Sequence, residues 1–251
     1  MKPVSTFSIT LTIVAVIIIG WVVFTHKDRQ ANPINTTGEV APSPTASWPS
    51  VEVDKKTISD ENQYYTIDVT YPVTSDVAIN DKLKAFAEDQ IAQFKEDTSW
   101  VTDPSIASAA ESSLSLTVDY TQERSAYADT YVFAISTYTG GAHGLQATKT
   151  FAFDQYGAPI TQSDLFANPD TGLKAVAAFV QSELAKKKIS DADWIKEGAG
   201  PSADNYGNFV IGDNGVTFIF DAYQVAPYAA GTQKILVPLS VFKPNPKVFT
   251  Q

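Results

Sequence analysis

Residues 208–223 read NFVIGDNGVTFIFDAY, two apolar runs at 209–211 and 216–220 on either side of Asn214-Gly215. Such a dipeptide accepts the positive φ angles of a primed two-residue turn, so the spacing predicts an antiparallel hairpin. A hairpin commits this part of the chain to a sheet, and the apolar runs require one face of that sheet to be covered.

The preceding chain supplies both more strands and the covers. In YYTIDVTYP, Tyr65, Ile67, Val69 and Tyr71 alternate, which predicts a strand ended by Pro72. SLSLTVDY repeats the pattern through Leu114, Leu116, Val118 and Tyr120; a longer strand ends at Gly140-Gly141, and ATKTFAFD follows it to a turn at 154–157. Ile79, Leu83, Phe86, Ile91 and Phe94 recur at helical spacing, with Asn80 or Asp81 as the expected cap. A second helix carries Leu173, Val176, Ala177, Val180 and Leu184, and closes on Lys186, Lys187 and Lys188, where cations suit the negative end of its dipole. The final strand, QKILVPLSVF, contains Pro238 and is expected at an edge or a bulge. The fold class read from this order is α+β, antiparallel sheet with amphipathic helices packed on one face.

Residues 7–24, FSITLTIVAVIIIGWVVF, hold no charge. As a helix they would extend about 27 Å, close to the hydrocarbon thickness of a bilayer. No small-x-small cleavage site follows, so residues 7–24 are read as an uncleaved, single-pass transmembrane anchor, with 1–6 as a cytoplasmic tail and the bulk exported. Residues 25–58 carry Pro33, Pro42, Pro44 and Pro49 among Ser, Thr and Ala and are expected to form a tether. The chain has 18 Lys+Arg against 28 Asp+Glu, a net charge of −10. An acidic body repels nucleic acid, and any partner guided by charge would be cationic. There is no cysteine, which excludes disulfides, thiol nucleophiles, zinc–thiolate sites and a lipoprotein anchor.

His143, in YTGGAHGL, is the only histidine of the globular part. A multi-histidine zinc site is therefore excluded, and no metal or other cofactor is expected. No Gly-x-Ser-x-Gly elbow accompanies the histidine, and nothing in the spacing of the acids selects a glycosidase pair. No catalytic residue is assigned. The favoured reading of Gly140 and Gly141 is a tight turn from which His143 ties down a neighbouring loop, at a cost of about 1–3 kcal/mol if that buried hydrogen bond were lost. Tyr223 and Tyr228, flanking Pro227 in FDAYQVAPYAAG, offer large rings with polar tips suited to protein or glycan.

These motifs, YTGGAHG with KTFAFDQYGAPITQSDLF, then GVTFIFDAYQVAPYAAG and ILVPLS, resemble the paired extracytoplasmic domains of the PdaC/RsiV group over about residues 59–242. That pair occurs in a lysozyme-sensing anti-sigma factor and ahead of a peptidoglycan deacetylase catalytic domain. The resemblance implies two halves, 59–145 and 146–251, with Gly140, Gly141, Pro227 and Gly231 as structural positions and His143, Tyr223 and Tyr228 as candidate binding residues. Only six residues precede the apolar run, and no paired-histidine domain is present, so neither the sigma-factor segment nor the zinc domain is expected here. The function expected is a membrane-anchored envelope module that binds a protein, lysozyme-like among the candidates, or a peptidoglycan-related ligand outside the membrane. The alternatives are a cell-wall-active enzyme using acidic residues and His143, or a module that only positions partners.

Overall fold

The computed structural model describes residues 53–101 and 114–250. The predicted anchor at 7–24 and nearly all of the tether lie outside them. Among the described residues no helix is long and apolar enough to cross a membrane.

Six strands form the first sheet: β1 (Asp54–Glu61), β2 (Tyr65–Val73), β3 (Leu114–Arg124), β4 (Asp129–Tyr138), β5 (Leu145–Phe153) and β6 (Pro159–Ile160), lying side by side in that order. Neighbours are antiparallel except β2 and β3, which run parallel from Tyr65↔Leu114 to Val69↔Val118. The sheet is therefore mixed rather than purely antiparallel. The parallel pair requires a crossover, which helix α1 (Val77–Asp97) begins. Strand β1 starts at Asp54, inside the stretch read as tether. Its sequence, DKKTISDE, is almost wholly exposed. It is held by its ladder to β2, so no burial pattern marks it.

Alternation places Ile67, Val69, Leu116, Val118, Tyr131 and Phe133 on one face, beneath Leu83, Ala87 and Phe94 of α1. The cap of α1 is Asp76, whose Oδ1 accepts from the amides of Ala78 and Ile79 at 2.8 and 3.0 Å. Asn80, expected as the cap, instead holds the approach to the helix: its Nδ2 donates to Thr74 O and its Oδ1 accepts from Thr74 N, both at 2.7 Å.

A second, three-stranded sheet follows: β7 (Phe209–Gly212), β8 (Gly215–Phe220) and β9 (Gln233–Pro238), antiparallel, with β8 central. The hairpin is present, but its loop is Asp213-Asn214, because Gly212 pairs with Gly215. Neither loop residue has a positive φ, so the turn is not of the primed kind. Asp213 is free to bond elsewhere: its Oδ1 accepts from Ala126 N, in the β3–β4 turn, at 2.8 Å. Pro238 ends β9 at the sheet's edge, as its missing N–H demands.

Helix α2 (Pro169–Lys187), capped by Asn168 and closed by Lys188 in the left-handed conformation, packs Val176, Ala177, Val180 and Leu184 against this second sheet. The short α3 (Ala192–Gly198), capped by Asp191, and the terminal turn α4 (Pro246–Phe249) complete the elements. Ala128, in the β3–β4 turn, and Ala152 of β5 are buried in this second core, which ties the two sheets together.

Candidate functional site

The β4–β5 connection is a loop in which Gly140 and Gly141 hold φ angles of 101° and 114°. Few side chains tolerate these angles, so both glycines are required by the path of the loop. Tyr138 Oη donates to Gly141 O at 2.9 Å and fixes that path. The loop delivers His143 and Gly144 beside a second loop, residues 221–232, that joins β8 to β9. There Pro227 precedes a 3-10 turn at Tyr228–Ala230, and Gly231, with φ 64° and ψ −169°, turns the chain into β9.

The rings of His143 and Tyr228 stack at 4.4 Å between centroids and 23° between planes; Tyr223 lies 5.4 Å from Tyr228 at 32°. Gly144 O accepts from Tyr228 Oη at 3.1 Å and faces His143 Nδ1 at 2.9 Å. A carbonyl can only accept, so in the neutral imidazole the proton sits on Nδ1. Nε2 is then an acceptor toward Tyr223 Oη, at 3.5 Å, the outer limit of a hydrogen bond. The three residues that sequence singled out in two motifs some 80 positions apart thus form one stacked ledge. His143 is exposed and Tyr223 is 49% exposed, so the ledge faces solvent.

Tyr223 is held in place from behind. Its φ is +70°, a conformation uncommon for an aromatic residue. Its N–H donates to Ala226 O at 3.1 Å, and its carbonyl accepts from Trp194 Nε1 at 3.0 Å. Next to it, Gln224 Nε2 donates to Gly198 O and Asn205 O, each at 3.0 Å. Gly198 lets α3 approach closely: a Cβ there would stand 1.7 Å from Gln224 O. Asp221 Oδ2 accepts from Thr148 N at 3.0 Å and joins this loop to β5. Sequence reading missed Trp194, Gly198 and Gln224, since each works by touching a distant backbone group. An indole N–H in the polar stretch SDADWIKEG, needing an acceptor, was the one available signal.

Among the described residues no Asp, Glu or Ser hydrogen-bonds to His143, and no three His, Asp or Glu side chains gather as around a metal ion. The site offers flat rings, two phenolic hydroxyls and an imidazole. These can stack on and hydrogen-bond a ligand.

Comparison with known proteins bears on both halves. The family model described as Deacetylase PdaC matches residues 58–146, and that of a protein of unknown function, DUF3298, matches residues 163–240. The peptidoglycan-N-acetylmuramic acid deacetylase PdaC of Bacillus subtilis is 29% identical over 96% of this chain and 50% of its own length. Immunogenic protein MPT64 of Mycobacterium tuberculosis is 37% identical over 40% of this chain and 44% of its own length. The chain thus spans about half the length of the curated relatives it matches. A solved DUF3298-family structure from Bacteroides fragilis superposes with a TM-score of 0.55, at 19% identity, covering 79% of this chain and 96% of that one. One from Pseudomonas aeruginosa gives 0.50 at 15% identity, covering 80% and 97%; at these identities the likeness is one of fold. The ledge joins the end of the first matched segment to the second, and the chain carries a PdaC-type domain followed by a DUF3298 domain, the pairing its motifs resembled.

Proposed function

We propose that this chain is a membrane-anchored, extracytoplasmic binding module of the bacterial cell envelope, held by residues 7–24, and that its ledge binds a glycan of the cell wall. The observation that carries this reading is the convergence of His143, Tyr223 and Tyr228 into a solvent-facing stack whose rings and hydroxyls lie side by side. A sugar presents the matching pair of features, an apolar C–H face and a rim of hydroxyls. The likeness to a deacetylase of peptidoglycan over 96% of the chain supports the same ligand class. The module acts by binding, without chemistry of its own.

The test is cosedimentation with purified peptidoglycan. Wild-type protein should pellet with it, and Tyr223→Ala should weaken binding by about tenfold or more, as loss of an aromatic anchor does. Equal binding by wild type and variant would remove the ledge from the function. One observation favours a second reading. The net charge of −10 suits a basic protein partner, lysozyme-like in charge. Such binding would fall steeply between low and physiological salt if charge alone carried it, and would survive, sensitive to Tyr228→Ala, if the ledge did.

A further inference from the structure

Strand β9 has β8 on one side and no strand on the other among the described residues. A groove of about 350 Å³ runs along it, walled by Phe179, Glu183, Lys186 and Lys187 of α2 and by Lys234, Ile235 and Leu236 of β9. No residue of β8 lines it, so it lies on the side of β9 away from its partner. Leu236 is 53% exposed.

Charge here runs against the rest of the molecule. Three lysines meet on a chain of net charge −10. Glu183 pairs with Lys186, and Lys187 Nζ donates to Gln233 Oε1 at 2.9 Å. Lys234 has no ion pair among the described residues. Pro238, which lacks an N–H, closes the far end of the open edge.

We propose that this groove takes an extended acidic peptide segment, which adds to the outer edge of β9 as a fourth strand. An open edge offers directional backbone donors and acceptors, and only another extended backbone satisfies them in series. Lys186, Lys187 and Lys234 select acidic side chains, while Phe179 and Leu236 receive the apolar ones between them. Repulsion from the acidic remainder is largely screened beyond about 8 Å at physiological salt, whereas contacts within the groove are not. The proposal is independent of the aromatic ledge.

The test is fluorescence anisotropy at 0.15 M salt with the full chain in detergent. The probe is labelled (Glu-Val)4 amide, compared with (Lys-Val)4, with (Glu-Val)4 N-methylated either on its Glu or on its Val residues, and with polyglutamate and phosphatidylglycerol vesicles. The acidic probe should bind at least tenfold tighter than the basic one, and N-methylation of one edge of the peptide should cost at least tenfold. The K186E/K234E double variant should lose the acidic probe and gain the basic one, a reversal that misfolding cannot produce. Tyr223→Ala should leave the binding unchanged. Absence of binding by (Glu-Val)4 would overturn the proposal. Equal binding by both N-methylated registers, by polyglutamate or by phosphatidylglycerol vesicles would also overturn it, reducing the groove to a general anion patch.

Discussion

The two cores are fixed by different means. Beneath α1 the contacts are mostly hydrocarbon on hydrocarbon: Phe133 has the rings of Phe86, Tyr120 and Phe151 within 6 Å between centroids. The second core is built around a buried polar point. Ala199 O, just past α3, accepts from Tyr206 Oη at 2.8 Å and from Gln181 Nε2 at 2.9 Å. Burial pushes the Tyr206 hydroxyl well above its ordinary pKa, so it remains a donor. A packed apolar core tolerates shape-conserving exchange, whereas a buried hydrogen bond admits one arrangement. The half that must hold α3, and through Trp194 the ledge, is the one that uses directional bonds.

The largest test of this contrast removes one side chain from each core. Phe133→Ala and Tyr206→Ala should each cost about 3–5 kcal/mol. Asp213, Asn208 and Asp221 bond the second sheet and its loops to the first sheet, so both variants should lower one shared urea transition. Separate transitions, each sensitive to one variant, would mean that the cores fold independently.

A smaller change sharpens the difference. Tyr206→Phe keeps the ring and removes the hydroxyl, and should cost about 0.5–1.5 kcal/mol, since Gln181 still serves Ala199 O. Gly198→Ala should cost about 1–3 kcal/mol by overpacking against Gln224 and should dislodge Tyr223, read as weakened ligand binding. Phe133→Leu, by contrast, should leave ligand binding intact at whatever stability remains.

His143→Ala should change stability by less than about 1 kcal/mol, because the side chain is exposed and its bonds compete with water. The tie to a neighbouring loop expected from sequence exists as a stack on Tyr228, but it is not buried. Thermal unfolding of the variant measures this directly.

The smallest effect concerns β1. Asp60 accepts from Lys95 of α1 at 2.6 Å, and that hydrogen bond holds its carboxyl below the ordinary value of 3.8. A lowered folded pKa stabilises above the unfolded pKa and is lost as pH falls through the folded one. Loosening of β1, followed by hydrogen exchange at its amides, should therefore begin below about pH 4, and Lys95→Met should abolish the pH dependence.

What could be read from sequence follows from how each element is stabilised. Strands β2, β3 and β9 and helices α1 and α2 bury one face, and burial writes a period into the residues, whereas β8, buried on both faces, is legible as an apolar run beside a turn. Strand β1 buries almost nothing, and α3 has seven residues, too few for a period. The turn at Asp213-Asn214 was read one residue late because Gly215 fits a primed turn and equally well the position after an ordinary one. His143, Tyr223 and Tyr228 were each visible as unusual residues in glycine- and proline-marked loops. Their meeting was not visible, because it depends on both sheets being in place.

The parallel seam between β2 and β3 has a kinetic consequence. Strands β3, β4 and β5 are joined by short connections and can pair as hairpins on local contacts. Tyr65↔Leu114, the first rung of the seam, must close a loop of nearly fifty residues, whose entropy is lost before any contact is gained. By these costs the β1–β2 hairpin and α1 should dock last, onto a template that the β3–β5 meander supplies. The β4–β5 turn that carries His143 belongs to that meander, so this order of assembly places it ahead of the strand that leads back toward the amino terminus.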